Sequence, residues 1–102
     1  MARLLAIYSQ PADAAAFDRY YHGTHLPLFG KVAGVRKVAF SVSPQAIAGD
    51  TPYLITEVTF DSIADIHTAL ASPEGKAAAA DLANFAQAGV AVLIYDQRDG
   101  AL

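Results

Sequence analysis

The sequence contains no cysteine. That excludes a disulfide framework, a thiolate nucleophile, an iron–sulfur cluster and any Cys-type zinc site. Basic residues are few: seven Lys and Arg stand against ten Asp and Glu, a formal net charge of −3. Such a balance leaves no electrostatic footprint for nucleic acid. Long apolar runs are missing as well. Residues 1–8 hold one basic residue and a short apolar run that stops at Ser9-Gln10-Pro11, where a secretory signal needs about 7–15 apolar residues. A membrane span needs about 20, and no run approaches that. The expectation is a cytoplasmic protein that engages neither membrane nor nucleic acid. Gly-x-Gly-x-x-Gly, the P-loop and the nucleophile elbow are absent, so nothing marks a nicotinamide or flavin site and no cofactor is expected. There is also no internal repeat, linker or low-complexity tract, so residues 1–102 read as one domain.

What is present in excess is apolar surface. Hydrophobic residues make up 54% of the chain, above the roughly 45–50% of a usual soluble domain. A chain this short buries only about two-thirds of its unfolded surface. The surplus needs a cover, either a partner on one face or a ligand in an apolar cavity.

Six elements are legible. Residues 3–9 form an apolar run stopped by Gln10-Pro11, a strand. Residues 13–22 read as a helix capped by Asp13, with Ala14, Phe17 and Tyr21 on one face. Gly23 interrupts it, and Thr24 reads as a fresh N-cap for a second piece that carries His25, Leu26 and Pro27 and ends near Gly34. Residues 35–43 read as a strand and residues 44–52 as a loop. Residues 53–60 are β-branched and aromatic, a strand. Asp61 or Ser62 then caps a helix bearing Ile63, Ile66 and Leu70. Ser72-Pro73 restarts that helix, which runs to about Phe85. Gly89 precedes a last strand over residues 90–95. The order β-α-β-β-α-β predicts an α+β fold of the ferredoxin-like type, a four-stranded antiparallel sheet with helices on one face.

The uncovered face of such a sheet should alternate toward polar residues. Here it does not. Leu5 and Ile7 point one way and Leu4, Ala6 and Tyr8 the other. Val90, Val92 and Ile94 oppose Ala91, Leu93 and Tyr95. An exposed face of that kind exceeds the apolar patches of ordinary monomers. The expectation is a homodimer formed by packing sheets face to face; the other reading is a C-terminal tail folded over the second face.

His25 is the leading candidate for chemistry. It follows Tyr21 by four residues and Phe17 by eight, so it continues the stripe that faces the sheet. At the start of a restarted helix, the dipole would favour the neutral imidazole that a general base requires. The plainer reading is a core histidine satisfied by a backbone carbonyl. His22, three residues earlier, suggests metal, but a site would need a third ligand from His67 or Glu57; no metal site is expected. Glu57 interrupts an apolar strand and shares a face with Tyr53, Ile55 and Thr59. Buried there it needs a partner. It either pairs with Arg3, Lys37 or a histidine at a dimer interface, or faces a pocket. Tyr8, Tyr20, Tyr21 and Tyr53 supply phenols, and one of them near His25 would stabilise an enolate or phenolate oxygen.

Several segments together resemble the EthD-type proteins. They are Leu5-Ala6-Ile7-Tyr8, Pro11 with Asp13, Phe17-Asp18-x-Tyr20-Tyr21 and Thr24-His25-x-Pro27-Leu28. Gly34-Val35-Arg36-Lys37, Glu57-Val58-Thr59-Phe60-Asp61-Ser62 and Ala71-Ser72-Pro73-Glu74-Gly75 continue the likeness. Ala80-Asp81-Leu82-Ala83-Asn84-Phe85 and Gly89-Val90 complete it. Of the histidines, His25 falls in the motif; Glu57 falls in the strand motif. The sequence departs at Gly30–Gly34, where relatives often carry a proline before the glycine. The resemblance implies a dimeric α+β barrel. Relatives of that fold include cofactor-independent monooxygenases, polyketide cyclases, lactone isomerases and haem-handling proteins, and a haem here would need His25 or His22 as axial ligand. The expected function is a small-molecule pocket for an apolar, aromatic or lactone-like compound. His25 would be the acid/base, and Tyr8, Tyr21 and Glu57 would orient it or the substrate. The alternative is a non-catalytic dimeric binding or accessory module.

Overall fold

The computed structural model describes residues 1–101. Its elements are β1 (Ala2–Tyr8), α1 (Ala14–Tyr20), a π-helical segment (Tyr21–His25), α2 (Leu26–Phe29), β2 (Lys37–Phe40), β3 (Leu54–Phe60), α3 (Ile63–Ala71), α4 (Pro73–Phe85) and β4 (Val90–Asp96). The sheet is antiparallel with order β2-β3-β1-β4, and the helices lie on one face of it. This is the α+β, ferredoxin-like arrangement expected from the element order.

The capping residues act as their chemistry dictates. Asp13 accepts from the backbone N–H of Ala16, Ser62 from Asp65, and Ser72 from Gly75. Each satisfies a first-turn donor that has no intrahelical acceptor. Pro73 sits at the first turn of α4, where its missing N–H costs nothing.

Two expectations are corrected. Thr24 caps no helix. The chain stays helical from Ala14 through Phe29, and the interruption is a π turn in which the Leu26 N–H reaches back to the Tyr21 carbonyl. Pro27 supplies a reason: in a regular α-turn its ring would press on the carbonyl of Gly23, and one extra residue per turn relieves that clash. His25 is therefore an interior helical residue, and no free helix N-terminus acts on it. The second correction is to β2, which spans Lys37–Phe40 rather than residues 35–43. Ladder-like bonds extend it by one residue each way, from Arg36 N–H to Thr59 and from Ser41 N–H to Ile55. Beyond them Gly34 at φ +92° and Ser43 at φ +50° turn the chain out of the sheet.

Register assigns the faces. Leu4 lies opposite Val58 and Ile94, and Leu5 opposite Glu57 and Leu93. Directly opposed residues share a face. The helix-covered face thus carries Ala2, Leu4, Ala6 and Tyr8, all buried. Two apolar clusters form there. One joins Leu4, Val58, Phe60, Ile66 and Ala69; the other joins Ala6, Tyr8, Phe17, Tyr21 and Phe85. Each fully buried side chain of this size contributes roughly 1.5–3 kcal/mol. Gly75 lets α4 approach α3: a Cβ there would stand 1.9 Å from the Ala69 carbonyl oxygen.

The other face carries Leu5, Ile7, Ile55, Leu93 and Tyr95. Leu93 is 51% and Tyr95 41% exposed. Most of this face is uncovered in the single chain. Among the described residues no helix is long and apolar enough to cross a membrane.

Candidate functional site

The continuous helix of α1, the π segment and α2 places Phe17, Tyr21 and His25 on one stripe. The wider π turn keeps positions four apart in register, and the Tyr21 and His25 rings stack at 5.7 Å and 27°. Phe85 of α4 closes against His25 at 4.6 Å between ring centres. The histidine is 6% exposed.

Its partner comes from α4. His25 Nδ1 lies 3.0 Å from Asp81 Oδ2. Asp81 is itself 6% exposed and is held by two further donors on Oδ1: the Tyr20 hydroxyl at 2.6 Å and the Asn84 side-chain amide at 3.0 Å. Burial alone would raise this carboxyl. The hydrogen bonds from Tyr20, Asn84 and His25 outweigh burial and hold it below the ordinary aspartate value. An ionised Asp81 can only accept, so Nδ1 carries a proton, and in the neutral form of the ring Nε2 is the nitrogen with the lone pair. No hydrogen-bond partner within the described chain is recorded for Nε2. No fully buried polar side-chain atom is left unpaired among the described residues, so this nitrogen keeps some exposure, and His25 lines the adjoining cavity.

That cavity measures about 430 Å³ and lies between the helices and the sheet. It falls within the roughly 300–1,000 Å³ typical of small-molecule pockets. Leu4, Leu26, Phe29, Val58, Phe60 and Leu82 make its walls apolar. Its polar groups are few: His25, Tyr8, Tyr21 and Thr56, with Lys76 on an exposed turn of α4. The Tyr21 hydroxyl and Thr56 Oγ1 share a hydrogen bond of 2.5 Å. Burial raises the Tyr21 phenol above its ordinary value. Tyr8 is raised further, by burial first and then by the neighbouring Tyr21 and Asp81. Both phenols therefore stay protonated near neutrality and act as hydrogen-bond donors, not bases. The Tyr8 and Tyr21 rings meet edge to face at 5.5 Å.

The structure brings together three of the four side chains singled out from the sequence: His25, Tyr8 and Tyr21. Glu57 corrects the pocket reading and follows the other one, a pair with Arg3. It is opposite Leu5, on the sheet face away from the cavity, and its carboxylate pairs with Arg3 Nε at 3.2 Å. Neighbouring Thr56 takes the place in the cavity, because successive strand residues point to opposite faces. His22 and His67 are exposed and do not line the cavity, although the His22 ring meets the Tyr21 ring edge to face at 5.3 Å. Among the described residues no three His, Asp or Glu side chains converge as a metal site would require.

Asp81 is the residue that sequence reasoning missed. Its signal was present. The buried positions of α4 are Gly75, Ala78, Asp81 and Phe85, a helical stripe that is apolar but for one carboxylate. A charge placed on such a stripe requires a buried partner.

Comparison with known proteins follows the same outline. Residues 9–89 match the family model of the EthD domain. A protein of Rhodococcus erythropolis, described as an uncharacterized 11.0 kDa protein in the thcB-thcC intergenic region, is 40% identical over 99 residues and 95% of each chain. The crystal structure of an EthD family protein from Bacillus halodurans superposes with a TM-score of 0.86 at 31% identity, over 96% of this chain and 99% of that one. Likeness of fold alone, at 13% identity, extends to three further proteins. The hydroxynitrile lyase of Passiflora edulis has a TM-score of 0.74 over 99% and 95% of the two chains. The cofactor-independent oxygenase SnoaB of Streptomyces nogalater gives 0.67 over 97% and 94%. A dimeric ferredoxin-like protein of Thermobifida fusca gives 0.67 over 94% and 90%. On the breadth of the domain match and the identity to these two relatives, the chain belongs to the EthD family.

Proposed function

We propose that this chain is a homodimeric small-molecule protein in which each protomer holds an apolar or aromatic, lactone-like compound in its cavity. In this reading His25 acts on the compound as a general base. The observation that carries it is the 3.0 Å contact between His25 Nδ1 and a buried, ionised Asp81, beside a cavity of about 430 Å³. A carboxylate on Nδ1 fixes the tautomer and orients the ring, so Nε2 is the proton acceptor. A ligand C–H or O–H gives its proton to Nε2. The imidazolium that forms is stabilised by Asp81, and the electron pair moves to a ligand oxygen. In this reading Tyr8 and Tyr21 orient the ligand, and Tyr21 donates to that oxygen while its own oxygen accepts from Thr56, one of the two directions their hydrogen bond allows. The anion so formed is the species from which isomerisation, or reaction with dioxygen, proceeds without a cofactor. Support from the fold is general: structural neighbours include a cofactor-independent oxygenase and a hydroxynitrile lyase, and fold does not fix reaction.

The homodimer rests on the apolar outer face of the sheet, with Leu93 and Tyr95 about half exposed in the single chain, and on the dimeric state of a structural neighbour. Light scattering after size exclusion tests it; a monomer at micromolar concentration would overturn it.

Solvent-deuterium exchange into 2-tetralone, an aromatic carbon acid, tests the base. Exchange catalysed by the wild type and abolished in His25→Ala is the expected result. Binding of the ketone without exchange would instead favour a ligand-binding or accessory module. Unchanged binding and exchange in His25→Ala would remove His25 from the site.

A further inference from the structure

Lys76 is the feature of the cavity that proton transfer at His25 does not use. It is the one residue among Lys, Arg, Asp and Glu that lines the cavity. It is exposed, and it takes part in none of the ion pairs of the described residues, which join Arg3 to Glu57, His25 to Asp81 and Arg36 to Asp61. Glu74, two positions earlier in the same turn, is the nearest acidic residue in sequence and forms no ion pair with it. Lys76 stands close to the start of α4, where the helix dipole is positive. The stripe of α4 that faces the cavity, Gly75, Ala79 and Leu82, runs between Lys76 on one flank and Asp81 on the other. Five residues separate the two flanks, about 7.5 Å along the helix axis at 1.5 Å per residue.

We infer that the ligand is an apolar acid: a ring system bearing a carboxylate or comparable oxyanion that Lys76 holds at the cavity rim while the reacting atom meets His25 Nε2. The inference rests on the cavity reading given above and adds the charge of the ligand. The cavity reading supplies the other end of the site: His25 is more than nine-tenths buried, lines the same cavity, and its Nε2 has no hydrogen-bond partner among the described residues. An apolar enclosure with a cation at its rim and an acceptor within it suits a molecule with an anionic end and an acidic X–H elsewhere on its apolar frame. The rim ammonium keeps its hydration until the acid arrives. The apolar walls then lower the local dielectric and strengthen the pair beyond that of an open surface.

The test is calorimetric titration of the full chain with 2-naphthoate and with its neutral isostere, methyl 2-naphthoate. Three variants accompany the wild type. Lys76→Met keeps the length of the stem and removes the charge, Lys76→Arg keeps the charge, and Ala79→Trp narrows the cavity. The acid is expected to bind wild type about fivefold or more tightly than the ester, a preference that shrinks with added salt. Lys76→Met should lose the preference for acid over ester, and Lys76→Arg should keep it. Ala79→Trp should weaken both ligands. Equal binding of acid and ester by wild type, or a preference that survives Lys76→Met, would overturn the anionic ligand; with both probes still weakened by Ala79→Trp, the cavity reading would stand. Failure of both probes to bind wild type would overturn the cavity reading and this inference with it.

Discussion

His25 and Asp81 are 56 residues apart in the chain, and their side chains meet at 3.0 Å with each residue 6% exposed. One comes from the π segment that joins α1 to α2 and the other from the middle of α4. The pair ties the two helical units together over the sheet and holds the one histidine that lines the cavity.

Asp81→Asn is expected to separate binding from chemistry. The amide keeps the shape of the carboxylate and loses its charge. An Asn amide donating to Nδ1 would place the ring proton on Nε2, the wrong nitrogen for a base. Ligand affinity should stay within about threefold of wild type, while 2-tetralone exchange falls by about 100-fold or more, within the range of a general-base contribution. Equal losses in affinity and exchange, measured by calorimetry and NMR, would instead mean that Asp81 shapes the pocket only.

The same carboxylate sets a pH dependence of stability. Its folded value lies below the unfolded one, which is about 3.9 for an unperturbed aspartate. Between the two values the unfolded chain binds more protons. Its contribution is thus fully present above about pH 4 and is lost as the pH falls through the lowered folded value. Urea midpoints of wild type should fall toward those of Asp81→Asn as the pH is lowered from 6 to 3. A constant gap between the two proteins across that range would show that ionisation of Asp81 is not the cause.

Gly75→Ala is expected to be among the costliest single-methyl additions in the chain. The new Cβ would meet the Ala69 carbonyl oxygen at 1.9 Å, a backbone atom that cannot rotate away. Separating α3 from α4 should cost about 2 kcal/mol or more, in line with overpacking. Gly23→Ala is the contrast: nothing lies within 4 Å of its Cβ, and helix propensity should make it neutral to about 1 kcal/mol stabilising. Chemical denaturation of both variants gives the comparison.

Leu93→Glu should yield a folded monomer. The residue is 51% exposed on the outer sheet face, opposite Leu5. A carboxylate there would place two like charges in the paired interface, close to Glu57 of the same chain across the Leu5 position. Light scattering should report half the wild-type mass with an unchanged circular dichroism spectrum. A dimer that survives the substitution would place the contact elsewhere.

Much of this architecture was legible in the residues. Asp13, Ser62 and Ser72 marked helix starts because their side chains satisfy backbone donors that are local in sequence. The strand faces of β1 and β4 followed from period-two alternation. His25, Tyr21 and Phe17 fell on one stripe by spacing, and family motifs pointed to the same histidine. Thr24 misled because a cap-like residue beside a glycine looks the same whether the helix ends or merely widens by one residue. Glu57 stayed open between a pocket and a pair with Arg3 for a different reason: alternation says which residues share a face with it, and pairing with β1 says which face that is.

By itself, then, the sequence determined the class of fold, the surplus of apolar surface and the histidine at its centre, since each depends on neighbours within a few residues. The tertiary structure decided that Glu57 turns to Arg3 on the outer face and that Asp81, not Glu57, is the carboxylate that meets His25. Such partners are chosen by the packing of α4 against the π segment, across 56 residues of chain, and no local periodicity records that distance.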